Sequence, residues 1–230
     1  MWTEQTDKAR AWFETLRDRI CAEFEAIERE AGSAAAFDYL AWDREEEGNP
    51  APGGGVRGVM KGEVFEKVGV NVSTVQGTFA PEFARTMHGA EDTEAFHARF
   101  RAACMAHNPT YYDKFAKWAD DYFFIPHRGV ARGVGGIFYD HMECHDAAEW
   151  ERNFAFTKDV GEAFLDAFPK IVRRRMGHEW TPAEKRQQLE WRGRYVEFNL
   201  VYDRGTLFGL KTGGNIDAIL MSLPPEVKWS

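Results

Sequence analysis

The 230-residue chain reads as an α+β protein. Three features carry that reading. Long stretches repeat apolar residues at three- and four-residue steps. Other stretches alternate in the manner of strands, and they cluster rather than follow the helices one by one. No linker rich in Pro, Gly or Ser divides the chain, so one domain spanning 1–230 is expected.

Composition bounds the function. Hydrophobic residues make up 44% and charged residues 29%, ordinary values for a globular protein. Aromatics reach 14%, with 18 Phe and 8 Trp, which suits a large aromatic core or a flat apolar ligand. A net charge of -8 is the wrong balance for a bulk nucleic-acid binder. The 3 cysteines, Cys21, Cys104 and Cys144, are widely spaced, which suggests neither a disulfide framework nor a zinc knuckle. The polar start of the chain has no apolar signal core, and no stretch nears the roughly 18 apolar residues of a membrane span. The cytoplasm is the expected compartment.

The elements run in order. Ala9, Trp12, Phe13, Leu16, Ile20, Phe24 and Ile27 predict an amphipathic helix over 3–30. A loop is expected from there to Pro52, with Glu45-Glu46-Glu47 as a solvated run. Gly53-Gly54-Gly55-Val56-Arg57-Gly58 fits a dinucleotide-binding GxGxxG pattern formally. The residues after it, Val59 to Phe65, are strand-like, whereas pyrophosphate binding needs a helix N-terminus there. A glycine turn opening a hairpin is the better account, with β structure from Glu63 to Phe79 broken near Gly69. Helices are expected over 92–106 and 111–124, the first stopped by Asn108-Pro109. A Gly-rich run from Arg128 to Gly136 leads to a short strand, Ile137 to Tyr139. A long helix over 147–174 contains Pro169, where a kink is expected. Thr181-Pro182 starts another helix, ending near Gly193. Strands are then expected over 195–202, 206–211 and 218–222.

Three groups of residues could carry chemistry. At the end of the alternating run Tyr195 to Tyr202 stand Asp203 and Arg204, which would face opposite sides of a strand unless Gly205 bends the chain. Gly213-Gly214-Asn215 could admit a ligand close to the backbone, or simply make a turn. Arg128 and Arg132, four apart among glycines, could receive carboxylates through forked hydrogen bonds, or stand solvated in a surface loop. The histidines, including His97 and His127, are scattered, and no HExxH is present.

Taken in order, several segments resemble the aerobic, oxygen-dependent coproporphyrinogen oxidase family. They are Gly53-Gly54-Gly55 with Gly62 to Ser73; Trp118 to Phe124, His127-Arg128 and Arg132 to Asp140; and Arg192 to Gly214, closing with Ser222 to Pro225 and Trp229. The resemblance implies a large flat antiparallel sheet flanked by helices on both faces. It also implies a homodimer formed through about Tyr195 to Trp229. The implied activity is oxidative decarboxylation of two propionates of coproporphyrinogen III to vinyls, giving protoporphyrinogen IX in haem biosynthesis. Dioxygen is the implied co-substrate, with no organic cofactor. By resemblance Asp203 accepts the pyrrole N–H groups. Asp203 and Arg204 are then the expected catalytic residues, Arg204 and Arg132 are the best carboxylate partners, Arg128 is expected to bind substrate beside Arg132, and Gly213, Gly214 and Asn215 match a substrate-contacting turn in which some members carry Arg at the last position. His97 and His127 match positions sometimes assigned to a divalent metal.

One departure stands out. Members of the family carry a central segment, with a proposed proton-donating histidine and substrate-binding groups, where this chain runs from Phe83 through His88 and Ala90 straight into Glu91. Several dozen residues are expected to be missing near Ala90. That leaves two functional readings: an active oxidase, or a non-catalytic relative that binds porphyrinogen or serves as a dimer partner.

Overall fold

The computed structural model describes residues 3–43, 53–75 and 90–229. The Glu45-Glu46-Glu47 run, residues 76–79 of the expected β region, and His88 lie outside them. Two compact units are present: Met1–Ala80 with His178–Ser230, and Pro81–Gly177.

The first unit opens with α1 (Thr3–Glu30) and a three-stranded antiparallel sheet of β1 (Asp38–Asp43), β2 (Gly53–Met60) and β3 (Val68–Val75), in that order. α1 packs on β3. It buries Cys21, Phe24 and Ile27, and Phe24 stacks on Phe65 at 4.8 Å. Beside them Glu28 is fully buried. Its carboxylate accepts the backbone N–H groups of Glu63 (2.9 Å), Val64 (3.1 Å) and Phe65 (2.8 Å). That satisfaction is what makes a buried charge tolerable. It also pins the irregular stretch between β2 and β3 to the helix.

Three expectations for this region are corrected. The stretch ending at Pro52 contains a strand, β1. The glycine run is itself a strand, β2, rather than a turn. β3 starts at Val68 and includes Gly69 without a break. The glycines explain the first two. Tyr39 pairs with Gly58, and a Cβ on Gly58 would lie 3.0 Å from the Tyr39 ring. A Cβ on Gly55 would lie 2.4 Å from the Val72 carbonyl oxygen. Bare backbone at these positions lets both neighbours close in, with an aromatic covering the gap.

The unit is completed by α5 (Pro182–Val201), α6 (Arg204–Lys211) and α7 (Ile216–Leu220). The Thr181 cap is as expected, in a full capping box with Glu184. The three C-terminal strands are corrected to helices. Tyr195, Phe198 and Tyr202 recur at steps of three and four as well as sitting in an alternating run, so both periods fit so short a segment. Packing decides: α5 buries Phe198 and Asn199, and the Asn199 amide donates to the Tyr195 carbonyl at 2.7 Å. Gly193 does not end the helix. A Cβ there would lie 2.4 Å from the Lys228 carbonyl oxygen, so the glycine seats the C-terminal tail, and the Lys228 N–H donates to Leu189 at 2.9 Å.

In the second unit α2 (Ala90–His107), α3 (Tyr111–Tyr122) and α4 (Ala147–Arg175) match the expected helices within a residue or two at every end. α4 continues through Pro169, which is buried. α2 packs along α4. The unit's core holds Phe100, Cys104, Tyr112, Phe115, Phe156 and Ala163. Phe115 and Phe156 stack at 5.6 Å and are almost fully buried, each contributing roughly 1.5–3 kcal/mol of transfer free energy. Asp146 caps α4 by accepting the Glu149 N–H at 2.7 Å. A short hairpin, β4 (Phe124–Ile125) with β5 (Val130–Ala131), comes after α3. Ile137–Tyr139 is not a strand, a further correction: its backbone is tied to α3 by the Phe138 N–H donating to the Phe115 carbonyl at 3.0 Å. The protein is therefore mixed helix and sheet, and among the described residues its sheets have three strands and two.

Candidate functional site

In the second unit the β4–β5 hairpin brings His127, Arg128 and Arg132 into one segment. The N–H groups of Arg128 and Gly129 donate to the Ile125 carbonyl at 3.1 and 3.0 Å. This tight turn carries exposed His127 and half-buried Arg128 at its tip. The Arg132 N–H donates to the Phe123 carbonyl at 2.8 Å, extending the ladder by one pair. The Arg132 guanidinium lies over the Phe123 ring, 4.1 Å from its centroid. Stacking uses the face of a guanidinium, whereas a planar anion such as a carboxylate meets its N–H edge.

His97, on α2, reaches the loop after Arg132. Its Nε2 lies 2.9 Å from the Val134 carbonyl and its Nδ1 2.7 Å from the Tyr112 hydroxyl. Burial pushes the Tyr112 phenol up, against the lowering influence of Arg101, so the hydroxyl keeps its proton. Both ring nitrogens of His97 are engaged by protein groups. Among the described residues no group of three or more His, Cys, Asp or Glu could hold a metal ion. With both ring nitrogens so engaged, His97 as placed does not fit a resident metal.

In the first unit Asp203 and Arg204 stand where α5 gives way to α6. The N–H groups of Tyr202 and Asp203 donate to the Phe198 carbonyl at 2.8 and 2.9 Å, closing α5. Asp203 then caps α6: its Oδ2 accepts the Thr206 N–H at 2.7 Å and the Thr206 hydroxyl at 2.9 Å. Arg204 is the first residue of α6 and is half-buried. Adjacent residues at a helix start do not obey strand alternation, so the opposite-face argument does not apply to them.

Gly213, Gly214 and Asn215 form the turn between α6 and α7. Gly213 has φ of 66°, which favours glycine. The Gly214 N–H donates to the Gly209 carbonyl at 2.9 Å, and a Cβ on Gly214 would lie 3.0 Å from that oxygen. Asn215 Oδ1 accepts the Ala218 N–H at 2.7 Å, capping α7. Asp203 and Asn215 are therefore both helix caps, and the pattern Asp203-Arg-Gly-Thr206 carries a capping signal the strand reading passed over. Tyr112 and Phe123, which hold His97 and Arg132, were not singled out in the sequence.

The described residues thus define a mixed helix-and-sheet protein in which Arg132 lies over Phe123 in the second unit and Arg204 begins α6 in the first. The profile of the coproporphyrinogen III oxidase family matches residues 8–91 and 86–230, and the chain belongs to that family. An oxygen-dependent coproporphyrinogen-III oxidase from Rickettsia bellii (strain OSU 85-389) is 43% identical over 277 aligned positions, covering 96% of each chain. Its namesake from Rickettsia akari (strain Hartford) is 42% identical over 287 positions, covering 100% of each chain. The protein of the same name from Rickettsia conorii (strain ATCC VR-613 / Malish 7) is 42% identical over 284 positions, covering 99% of each.

Proposed function

We propose that this chain is an oxygen-dependent coproporphyrinogen III oxidase of haem biosynthesis, decarboxylating two propionates of coproporphyrinogen III to vinyls to give protoporphyrinogen IX. The single observation that carries this is the 42–43% identity, over essentially the whole chain, to proteins of that name. Each conversion of a propionic acid side chain to a vinyl releases CO2, two protons and two electrons, and one dioxygen takes up the protons and electrons as hydrogen peroxide. The arginines suit the substrate: four carboxylates on a flexible ring need cations to orient them, and guanidinium groups are supplied by Arg128 and Arg132 in the second unit and by Arg204 in the first. Asp203 offers a carboxylate acceptor for pyrrole N–H groups. In the Gly213-Gly214-Asn215 turn, Gly213 is exposed and offers bare backbone to a ligand.

The reading includes a shortened middle. The family match falls in two pieces that meet at 86–91, and the alignments hold more positions than the chain's 230 residues. Both support a segment of the relatives with no counterpart here. The larger antiparallel sheet that the resemblance implies, and the treatment of 1–230 as one domain, belong to the same proposal. The non-catalytic alternative draws no support from the relatives.

A homodimer through about Tyr195 to Trp229 is also proposed. Leu200, Val201, Leu210, Ile216 and Trp229 are exposed, an apolar excess that a partner subunit would cover. No helix of the described residues is long and apolar enough to cross a membrane, in keeping with a cytoplasmic enzyme.

The test is direct. Purified protein given coproporphyrinogen III and oxygen is expected to yield protoporphyrinogen IX; tight binding with no turnover would sink the oxidase reading. Sedimentation is expected to show a dimer that Ile216→Asp weakens, and a monomer at all concentrations would remove the dimer.

A further inference from the structure

His97 links three parts of the second unit: α2, where it resides; α3, through Tyr112; and the glycine-rich loop, through Val134. A carbonyl oxygen only accepts hydrogen bonds, so the nitrogen facing Val134, Nε2, carries a proton. In the neutral ring the lone pair then sits on Nδ1. The Tyr112 oxygen lies 2.7 Å from that nitrogen, and Tyr112 is only 6% exposed. A metal would need an unprotonated ring nitrogen at about 2.0–2.1 Å. Nε2 has its proton and its acceptor, and Nδ1 has its donor.

The loop that His97 grips, 132–136, has no regular secondary structure of its own. Gly133, Gly135 and Gly136 lie within it, and Gly135 has φ of 79°. Glycine-rich backbone loses the most freedom on folding, so its position needs an external anchor. His97 supplies one at Val134, two residues after Arg132. The same side chain shields the next bend: a Cβ on Gly135 would lie 3.3 Å from Asp120 Oδ1 and 3.6 Å from His97 Cε1.

We propose that His97 is a positioning residue, holding the Val134 carbonyl and so the loop that carries Arg132, and that it is not a metal ligand. Its consequence for substrate rests on the oxidase reading above; the anchoring does not.

Amide hydrogen exchange on the full chain tests the anchor. In His97→Ala the Arg132 amide, which donates to the Phe123 carbonyl at the base of the loop, is expected to exchange about five- to tenfold faster, as fits loss of one hydrogen bond. His97→Gln, whose amide N–H can donate to the same carbonyl, is expected to restore most of the protection. EDTA is expected to change nothing, and metal content by mass spectrometry is expected to be equal in both proteins. Unchanged exchange in His97→Ala, loosening of the loop by EDTA, or one equivalent of metal lost with His97 would each overturn the proposal. Histidine 15N spectra of the unaltered protein give a reading that no folding defect can spoil. His97 protonated at Nε2 and unmoved by added Zn2+ or Mn2+ supports the anchor; protonation at Nδ1 alone, or a response to either ion, overturns it. Turnover is measured in parallel, with a raised KM and near-constant kcat expected for His97→Ala and a KM near the native value for His97→Gln. The exchange and 15N results stand whether or not the chain turns over, so a failed oxidase reading is told apart from a failed anchor.

Discussion

The Phe65 N–H donates to Glu28 Oε1 at 2.8 Å, joining residues that are 37 apart in sequence. Glu28 is fully buried, and a Cβ on the neighbouring Gly62 would lie 2.3 Å from the carboxylate. Burial pushes the carboxyl up, but hydrogen bonds from Phe65, Ser33, Glu63 and Val64 outweigh it and hold its pKa below the ordinary value. With the folded value lowered, this contact stabilises fully above the unfolded pKa, near about 4.3, and its contribution is lost as pH falls through the folded value. Urea unfolding from about pH 7 down to about pH 3 is expected to show a steeper loss in the native protein than in Glu28→Gln. Glu28→Ala is expected to cost about 2–4 kcal/mol, because three backbone donors lose their acceptor. Equal pH slopes in the native and Gln proteins would contradict the account.

The substrate role proposed for Asp203 can be separated from its role as the α6 cap. Serine caps helices about as well as aspartate, whereas alanine costs about 1 kcal/mol. Asp203→Ser is therefore expected to keep its thermal midpoint and lose turnover, and Asp203→Ala to lose both. A Ser variant with native rate and affinity would leave Asp203 with its cap alone.

Arg132 owes its place to Phe123, whose ring lies beneath it and whose carbonyl binds its N–H. Arg132→Lys keeps the charge and removes the planar fork. Steady-state kinetics with coproporphyrinogen III are expected to show KM raised roughly tenfold with kcat little changed, the pattern for a group that binds a carboxylate remote from the bond being broken. A KM within error of the native value would place the carboxylate elsewhere.

The thiols are expected to differ in reactivity. Burial pushes Cys104 up to about 11 and also raises Cys21, and both are almost fully buried. Cys144 is only half-buried. Thiolates are the reactive species, so a thiol reagent on the folded protein is expected to modify Cys144 alone, and all three cysteines after unfolding. Early modification of Cys104 would show that the core of the second unit opens readily.

The sequence by itself determined the helices that have strong local punctuation. Thr181-Pro182 with Glu184 marks the start of α5, Asn108-Pro109 stands just past the end of α2, and the long apolar stripe of α1 is unambiguous over 28 residues. It also determined the family, because ordered identity needs no folding to be read. Only the tertiary structure decided the segment from Tyr195 onward. Tyr195 to Tyr202 satisfies two periods at once, and the choice falls to what each face buries: Phe198 and Asn199 go inward, and the Lys228 carbonyl occupies the space Gly193 leaves. The site divides in the same way. Arg128 and Arg132 were visible because charge among glycines is a local signal. The Tyr112–His97–Val134 chain was not, since its partners lie 15 and 37 residues from the histidine and no local pattern links them. A hydrogen bond across elements exists only once packing has brought its ends together, so it is the fold that assigns the histidine its partners.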